Sequence, residues 1–204
     1  MSALKIAREA LVEMNFRYIK NVISIFVGLL SVGVALAQES ESNLKDSQIL
    51  NIMVNLNNSE ILEGRLAKQK TSNQEVRAFA EEMVDEHSQD NKALQKLKND
   101  LKLRPESTDF SDHFKKIAAE NIKSLKKVKA RIFDLDYMTS QVSELQEDLK
   151  ILNEKLIPKA KSPKLMQMLN QVKESLQHRF KEAVKLKDSL KPRFNEEPQA
   201  SEPE

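Results

Sequence analysis

Two amphipathic stretches decide the fold of this chain: residues 46–70, DSQILNIMVNLNNSEILEGRLAKQK, and residues 72–101, SNQEVRAFAEEMVDEHSQDNKALQKLKNDL. Inward-facing residues recur every three or four positions in each, which is the period of one helix face. The first stripe consists of Ile49, Met53, Leu56, Glu60, Glu63 and Ala67, and the second of Val76, Phe79, Met83, His87, Leu94, Leu97 and Leu101. The folded part of the chain is therefore predicted to begin with two long helices.

Polar residues interrupt both stripes. Glu60 and Glu63 occupy inward positions of the first predicted helix, and His87 occupies one in the second. Burying an unpaired carboxylate costs several kcal/mol, so each glutamate needs a partner. That partner is a metal ion, a cationic side chain or a proton donor.

The boundaries of the predicted helices come from capping residues and prolines. Asp46 is the expected cap of the first helix, Ser72 with Glu75 forms a capping box for the second, and Pro105 marks a turn. A third apolar stripe from Phe110 to Ile132 is out of phase with the next one, Met138 to Leu156, which predicts a kink near residues 131–134. The last helix is expected to begin at Ser162-Pro163 and to end before Lys191-Pro192.

Composition favours an all-α fold. After residue 37 the chain has one glycine, Gly64, and the whole sequence has neither tryptophan nor cysteine. A β-rich fold or a glycine-rich phosphate loop is hard to build from such a chain, and disulfides and thiolate sites are excluded. The prediction is an antiparallel four-helix bundle with an extra helical segment before the third long helix.

The N-terminus is typical of an export signal. Arg17 and Lys20 precede an apolar run from Val22 to Ala37, which ends in the small-x-small pattern Ala35-Leu36-Ala37. The run is shorter than the roughly 20 residues of a membrane-spanning helix, so cleavage before Gln38 is predicted and no span is expected afterwards. The predicted organisation is a signal peptide at 1–37 (with Met14 as an alternative start), a linker at 38–45, a bundle at 46–190 and a disordered tail at 191–204.

Charge balance argues against a nucleic-acid partner. Residues 38–204 contain 29 basic and 29 acidic residues. The lysine-rich run 115–131 is interpreted as lying beside the acidic second helix, and the alternative is a surface for a membrane or an anionic polymer.

Several motifs resemble one bacterial family. The residues 60–67, EILEGRLA, and 72–87, SNQEVRAFAEEMVDEH, are similar to the opening helices of domain-of-unknown-function family 4142, and Phe133-Asp134 with Tyr137-Met138 is similar to its second signature. The resemblance implies a ferritin-like bundle that is exported to the periplasm, with members often labelled as outer-membrane proteins. It implies no established biochemical activity.

The chain departs from the family pattern at two histidine positions. Leu145 stands where the family commonly has a histidine. The family commonly has another histidine in its last helix, and that position aligns with His178 by residue identity or with Arg179 by helix phase. Helix phase favours Arg179, since His178 points away from the apolar stripe.

Two interpretations of the polar residues stay open. In the first, Glu60, Glu63, His87 and Asp134, with His178 if identity decides the alignment, hold a divalent or iron metal ion. In the second, Glu60, His87, Tyr137 and Arg179 form a structural polar core without metal, in which Arg179 neutralises Glu60 or Glu63. No catalytic residue is predicted, because no nucleophile with an adjacent base and no nucleotide motif is present.

The sequence thus predicts an exported bundle with a non-enzymatic role in the envelope or in stress. The alternatives are a metal-binding bundle for storage or redox chemistry and a chaperone-like protein that binds a periplasmic partner. An envelope protein or a membrane surface is the expected kind of partner.

Overall fold

The computed structural model describes residues 43–195, and the part that it describes contains five α-helices and no strand. They are α1 (Asp46–Lys70), α2 (Gln74–Asp100), α3 (Asp109–Lys127), α4 (Ala130–Ile151) and α5 (Pro163–Asn195). A π-helical turn, Leu152–Leu156, and a 3-10 turn, Ile157–Lys159, connect α4 to α5. The predicted all-α fold with an extra helical segment is confirmed.

The helices pack as two principal pairs, α1 with α2 and α4 with α5. The pairs meet through contacts of α1 with α4 and of α2 with α5, which completes a four-helix bundle. The remaining helix, α3, packs mainly on α1. Apolar residues from all five helices form one continuous core, whose largest fully buried side chains include Phe133, Tyr137 and Met138 of α4.

Gly64 allows α1 and α2 to approach closely. A Cβ atom at this position would lie 2.8 Å from Val84 Cγ2 and 3.0 Å from the backbone oxygen of Ala80, both on α2. Since these distances are shorter than ordinary carbon contacts, the helix spacing here depends on the absence of a side chain.

The caps of two helices differ from their predictions. Asn73, not Ser72, caps α2, because its Oδ1 accepts hydrogen bonds from the backbone N–H groups of Glu75 (2.9 Å) and Val76 (3.3 Å). Asp46 does not cap its own helix. Its two carboxylate oxygens accept from the backbone N–H groups of Lys161 and Ser162, both at 2.8 Å, and so tie the start of α1 to the start of α5.

Two predicted boundaries also shift. The break between α3 and α4 falls at Val128 and Lys129, both in extended conformation, rather than at residues 131–134. The last helix runs to Asn195, through Pro192, instead of ending before Lys191. Pro192 cannot donate an N–H to the helix, and buried Leu190 anchors the preceding turn.

At its N-terminal end, the folded part includes a residue of the predicted linker. Leu44, in the predicted linker, is buried in the core. The predicted signal peptide at 1–37, most of the linker and residues 196–204 of the predicted tail lie outside the described residues.

Candidate functional site

Two groups of polar residues lie between the helices, and all their members except half-exposed Glu86 are buried or partly buried. The first, here called the histidine network, consists of Asn57 on α1, Glu86 and His87 on α2, and Arg179 on α5. The second, here called the carboxyl cluster, consists of Glu60 and Glu63 on α1 and of Glu144 on α4. Each group lies where the period of a helix turns polar side chains toward a neighbouring helix.

His87 is the centre of the histidine network. Its Nδ1 lies 3.0 Å from Asn57 Oδ1, and its Nε2 lies 3.3 Å from Arg179 Nη1. Because the amide oxygen can only accept and the guanidinium can only donate, these partners assign a neutral ring with the proton on Nδ1. Burial and then the positive charge of Arg179 lower the pKa of His87 to about 3.

Arg179 joins α5 to α2. Its guanidinium pairs with the carboxylate of Glu86, and Arg179 also lowers the pKa of nearby Asp90, which burial raises more strongly. The Arg179 side chain is 7% exposed, whereas that of His178 is 73% exposed and pairs with Glu182 on the same helix. The partner of Arg179 differs from the expectation, since it pairs with Glu86 rather than with Glu60 or Glu63. Glu86 directly precedes His87 on α2, so both residues lie beside Arg179 of α5.

The carboxyl cluster joins α1 to α4. Gln141 Nε2 donates to Glu60 Oε2 (3.1 Å) and to Glu144 Oε2 (3.2 Å). Glu144 Oε1 also accepts from Ser140 Oγ (2.5 Å) and from Asn121 Nδ2 of α3 (3.0 Å). Glu144 is therefore the acceptor at the centre of the cluster.

Burial favours the neutral, protonated form of Glu60 and Glu63. Burial, followed by the charge of Glu144, raises the pKa of both well above the ordinary value. Within the described residues, neither oxygen of fully buried Glu63 has a hydrogen-bond partner. A protonated Glu60 or Glu63 carries an O–H group that can donate to Glu144, whose own pKa is also raised by burial.

Tyr137 and Asp148 extend the cluster along α4. Tyr137 is fully buried, and its Oη has no hydrogen-bond partner in the described part of the chain. Burial and then the charges of Glu60, Glu63 and Glu144 raise its pKa. Its ring stacks on Phe133 and meets Phe79 of α2 edge-on. Burial and then the charge of Glu144 raise the pKa of Asp148 to about 8.

The residues proposed for a metal site are not brought into one constellation. Glu60 and Glu63 belong to the carboxyl cluster and His87 to the histidine network, where an arginine occupies the side of Nε2. Asp134 lies one turn before Tyr137 on α4, and its buried Oδ1 has no hydrogen-bond partner among residues 43–195. Among the described residues, no group of three or more His, Asp and Glu side chains has an arrangement that could hold a metal ion.

The α4 half of the carboxyl cluster was not predicted from the sequence. The apolar stripe Met138, Val142, Leu145 and Leu149 predicted only one inward face of the helix. Tyr137, Gln141, Glu144 and Asp148 repeat at intervals of four, three and four, so a second, polar inward stripe was present in the spacing.

Within residues 43–195, no helix has the length and hydrophobicity needed to cross a membrane. The fold and the site together define a class: an all-helical bundle whose helices are joined by buried polar groups. Residues 33–186 match the family described as Domain of unknown function (DUF4142), and the chain belongs to that family. Comparison with curated proteins and with solved structures gives no match.

Proposed function

We propose that this protein is an exported, non-enzymatic helical bundle of the bacterial envelope, whose buried polar groups hold its helices in register. One observation carries the proposal: both ring nitrogens of His87 are engaged inside the protein, by Asn57 and Arg179. A histidine with a pKa lowered to about 3 and no free nitrogen is a poor general base and a poor ligand.

The carboxyl cluster supports the same proposal. Its members come from α1 and α4, and Asn121 of α3 donates to Glu144, so the cluster links three helices. Neutral carboxyls that donate to one acceptor act as directional hydrogen bonds. Such groups contribute to the uniqueness of a packing arrangement more than to its stability.

The experiment compares amide replacements in the native cell. Glu60→Gln and Glu63→Gln each replace a neutral acid by a neutral amide of similar shape, so both variants are expected to fold and to complement a deletion strain fully under envelope stress. A folded variant that fails to complement would show that the carboxyl chemistry itself is needed, and the non-enzymatic proposal would be wrong.

Export is tested separately by N-terminal sequencing of the protein that accumulates in cells. The proposal expects a mature N-terminus at Gln38 in the periplasmic fraction, because Ala35-Leu36-Ala37 closes a short apolar run. An intact N-terminus that fractionates with the cytoplasm would contradict it.

A second candidate function is binding of a divalent or iron ion by the carboxyl cluster. The observation in its favour is Glu63, whose two buried oxygens accept no well-formed hydrogen bond. Metal binding would require Glu60 and Glu63 to lose their protons and the side chains of the carboxyl cluster to rearrange. Elemental analysis of protein purified from its native cells tests this candidate, with Glu63→Gln as control. Stoichiometric iron, zinc or manganese that the control loses would favour it over the structural role.

A further inference from the structure

The helix α3 differs from the other four in how little of it is buried. Its buried residues are Phe110, Ser111 and Leu125. The opposite side carries five exposed lysines, here called the lysine patch: Lys115, Lys116, Lys123, Lys126 and Lys127. At 100° per residue these five positions fall within an arc of about 120°, so they form a single face.

The lysine patch is not neutralised by the protein. Within the described residues, Lys115 is the one member with an ion pair, and its partner is Asp112 of the same helix, at 2.8 Å. Asp109 and Asp112 share the face near its N-terminal end, and Glu120 lies at its margin. From Lys123 onward the face carries three lysines and no acid.

The acidic residues of α2 do not account for the lysines. The sequence predicted that α3 would lie beside α2, but α3 packs on α1 instead. The acids of α2 have other partners, since Glu81 pairs with Lys68 of α1 and Glu86 with Arg179 of α5. The interpretation of the lysine run as the complement of an adjacent acidic helix is therefore wrong.

The position of Lys70 adds positive charge at the same end of α3. Its Nζ donates to the backbone oxygens of Leu125, Lys126 and Val128, at 2.8–3.0 Å. This ammonium group offsets the negative end of the α3 dipole. The carbonyls of the last turn therefore already have a cationic donor and do not draw the nearby patch lysines away from the surface.

We propose that the lysine patch docks this protein onto the surface of an anionic phospholipid bilayer. The charge of the patch complements the headgroup phosphates, and clusters of four to eight basic residues on a helix are typical of such contacts. The face presents no large apolar side chain within its arc, so the contact is electrostatic, reversible and dependent on ionic strength. Docking is independent of the structural role proposed for the buried clusters.

The experiment uses the protein in the form that accumulates in cells and co-sedimentation with lipid vesicles. Vesicles with one-third phosphatidylglycerol in phosphatidylcholine are expected to bind the protein at low salt and to release it at about 0.5 M salt. The triple variant Lys116→Gln, Lys123→Gln, Lys127→Gln is expected to bind about 100-fold more weakly, at about fivefold per lysine.

The matched control removes three exposed lysines from α5, as Lys164→Gln, Lys181→Gln, Lys185→Gln. Both triple variants alter exposed side chains, so their unfolding midpoints should equal that of the unaltered protein, and the control should keep its binding. Equal loss in both variants would show a dependence on net charge alone and would overturn the proposal. Equal binding to vesicles of pure phosphatidylcholine would also overturn the proposal. So would a protein that binds no vesicles but self-associates through the lysine patch, as shown by loss of self-association in the patch variant.

Discussion

At the scale of single residues, the buried polar side chains depend on their neighbours for their protonation states. His87 is neutral because Arg179 faces one ring nitrogen and the amide oxygen of Asn57 accepts the proton of the other. Full burial near Glu144 raises the pKa of Glu63 and so favours its neutral form. The sequence predicted that Glu60, Glu63 and His87 would lie on inward faces, but it could not supply their partners, since these come from helices distant in the chain.

Gly64 gives a prediction at the same scale. Gly64→Ala should destabilise the protein by about 1–2 kcal/mol, because the new Cβ meets the backbone oxygen of Ala80 and that overpacking exceeds the gain in helix propensity. Chemical denaturation measures the change. The double variant with Val84→Ala should recover part of the loss, because it removes the other close contact. A more stable Gly64→Ala protein would show that α1 and α2 are not this close.

At the scale of the elements, periodicity predicted every long helix, and long-range contacts decided the ends. Asp46 was expected to cap α1 and instead accepts from the N–H groups of residues 161 and 162. The neighbour of α3 was also mispredicted, because a short loop containing Pro105 is compatible with packing on either α1 or α2. Local signals do not distinguish such choices.

The junction of α3 and α4 gives a prediction at this scale. Lys70→Met should cost about 2 kcal/mol, because three backbone carbonyls lose a charged donor. Gln69→Met, at the adjacent exposed position, is the control and should have little effect. Hydrogen exchange should accelerate around residues 125–130 in the Lys70 variant alone. Unchanged protection there would mean that Lys70 does not hold the junction.

At the scale of the whole molecule, the two polar groups oppose each other as the pH changes. Asp148 keeps its proton in the folded state up to a pKa of about 8, so its contribution to stability is full below the ordinary aspartate pKa of about 4 and is lost as the pH rises through 8. His87 takes up a proton in the folded state only near pH 3, so the unfolded state gains protons first as the pH falls below about 6.5. Between about pH 4 and pH 6.5 the two effects oppose each other, and above about pH 6.5 only the loss of the Asp148 contribution remains.

This prediction is checked by thermal unfolding between pH 4 and pH 9. The unaltered protein should lose stability as the pH rises from about 6.5 to about 8. Asp148→Asn should lose less than the unaltered protein over the same range, because the amide has no proton to release. If the two proteins lost stability equally as the pH rose, Asp148 would not be a neutral acid in the folded state.

The central claim is that the buried polar groups hold the helices together, and Arg179 tests it most directly. Arg179→Ala removes the pairing with half-exposed Glu86 and the donor to His87, so the free energy of unfolding should fall by about 2 kcal/mol. His178→Ala alters an exposed neighbour on the same helix and should change it by less than about 0.5 kcal/mol. The measurement is urea denaturation of the two variants side by side. A large loss for Arg179→Ala alone is the predicted result, and equal small effects of both changes would contradict the account.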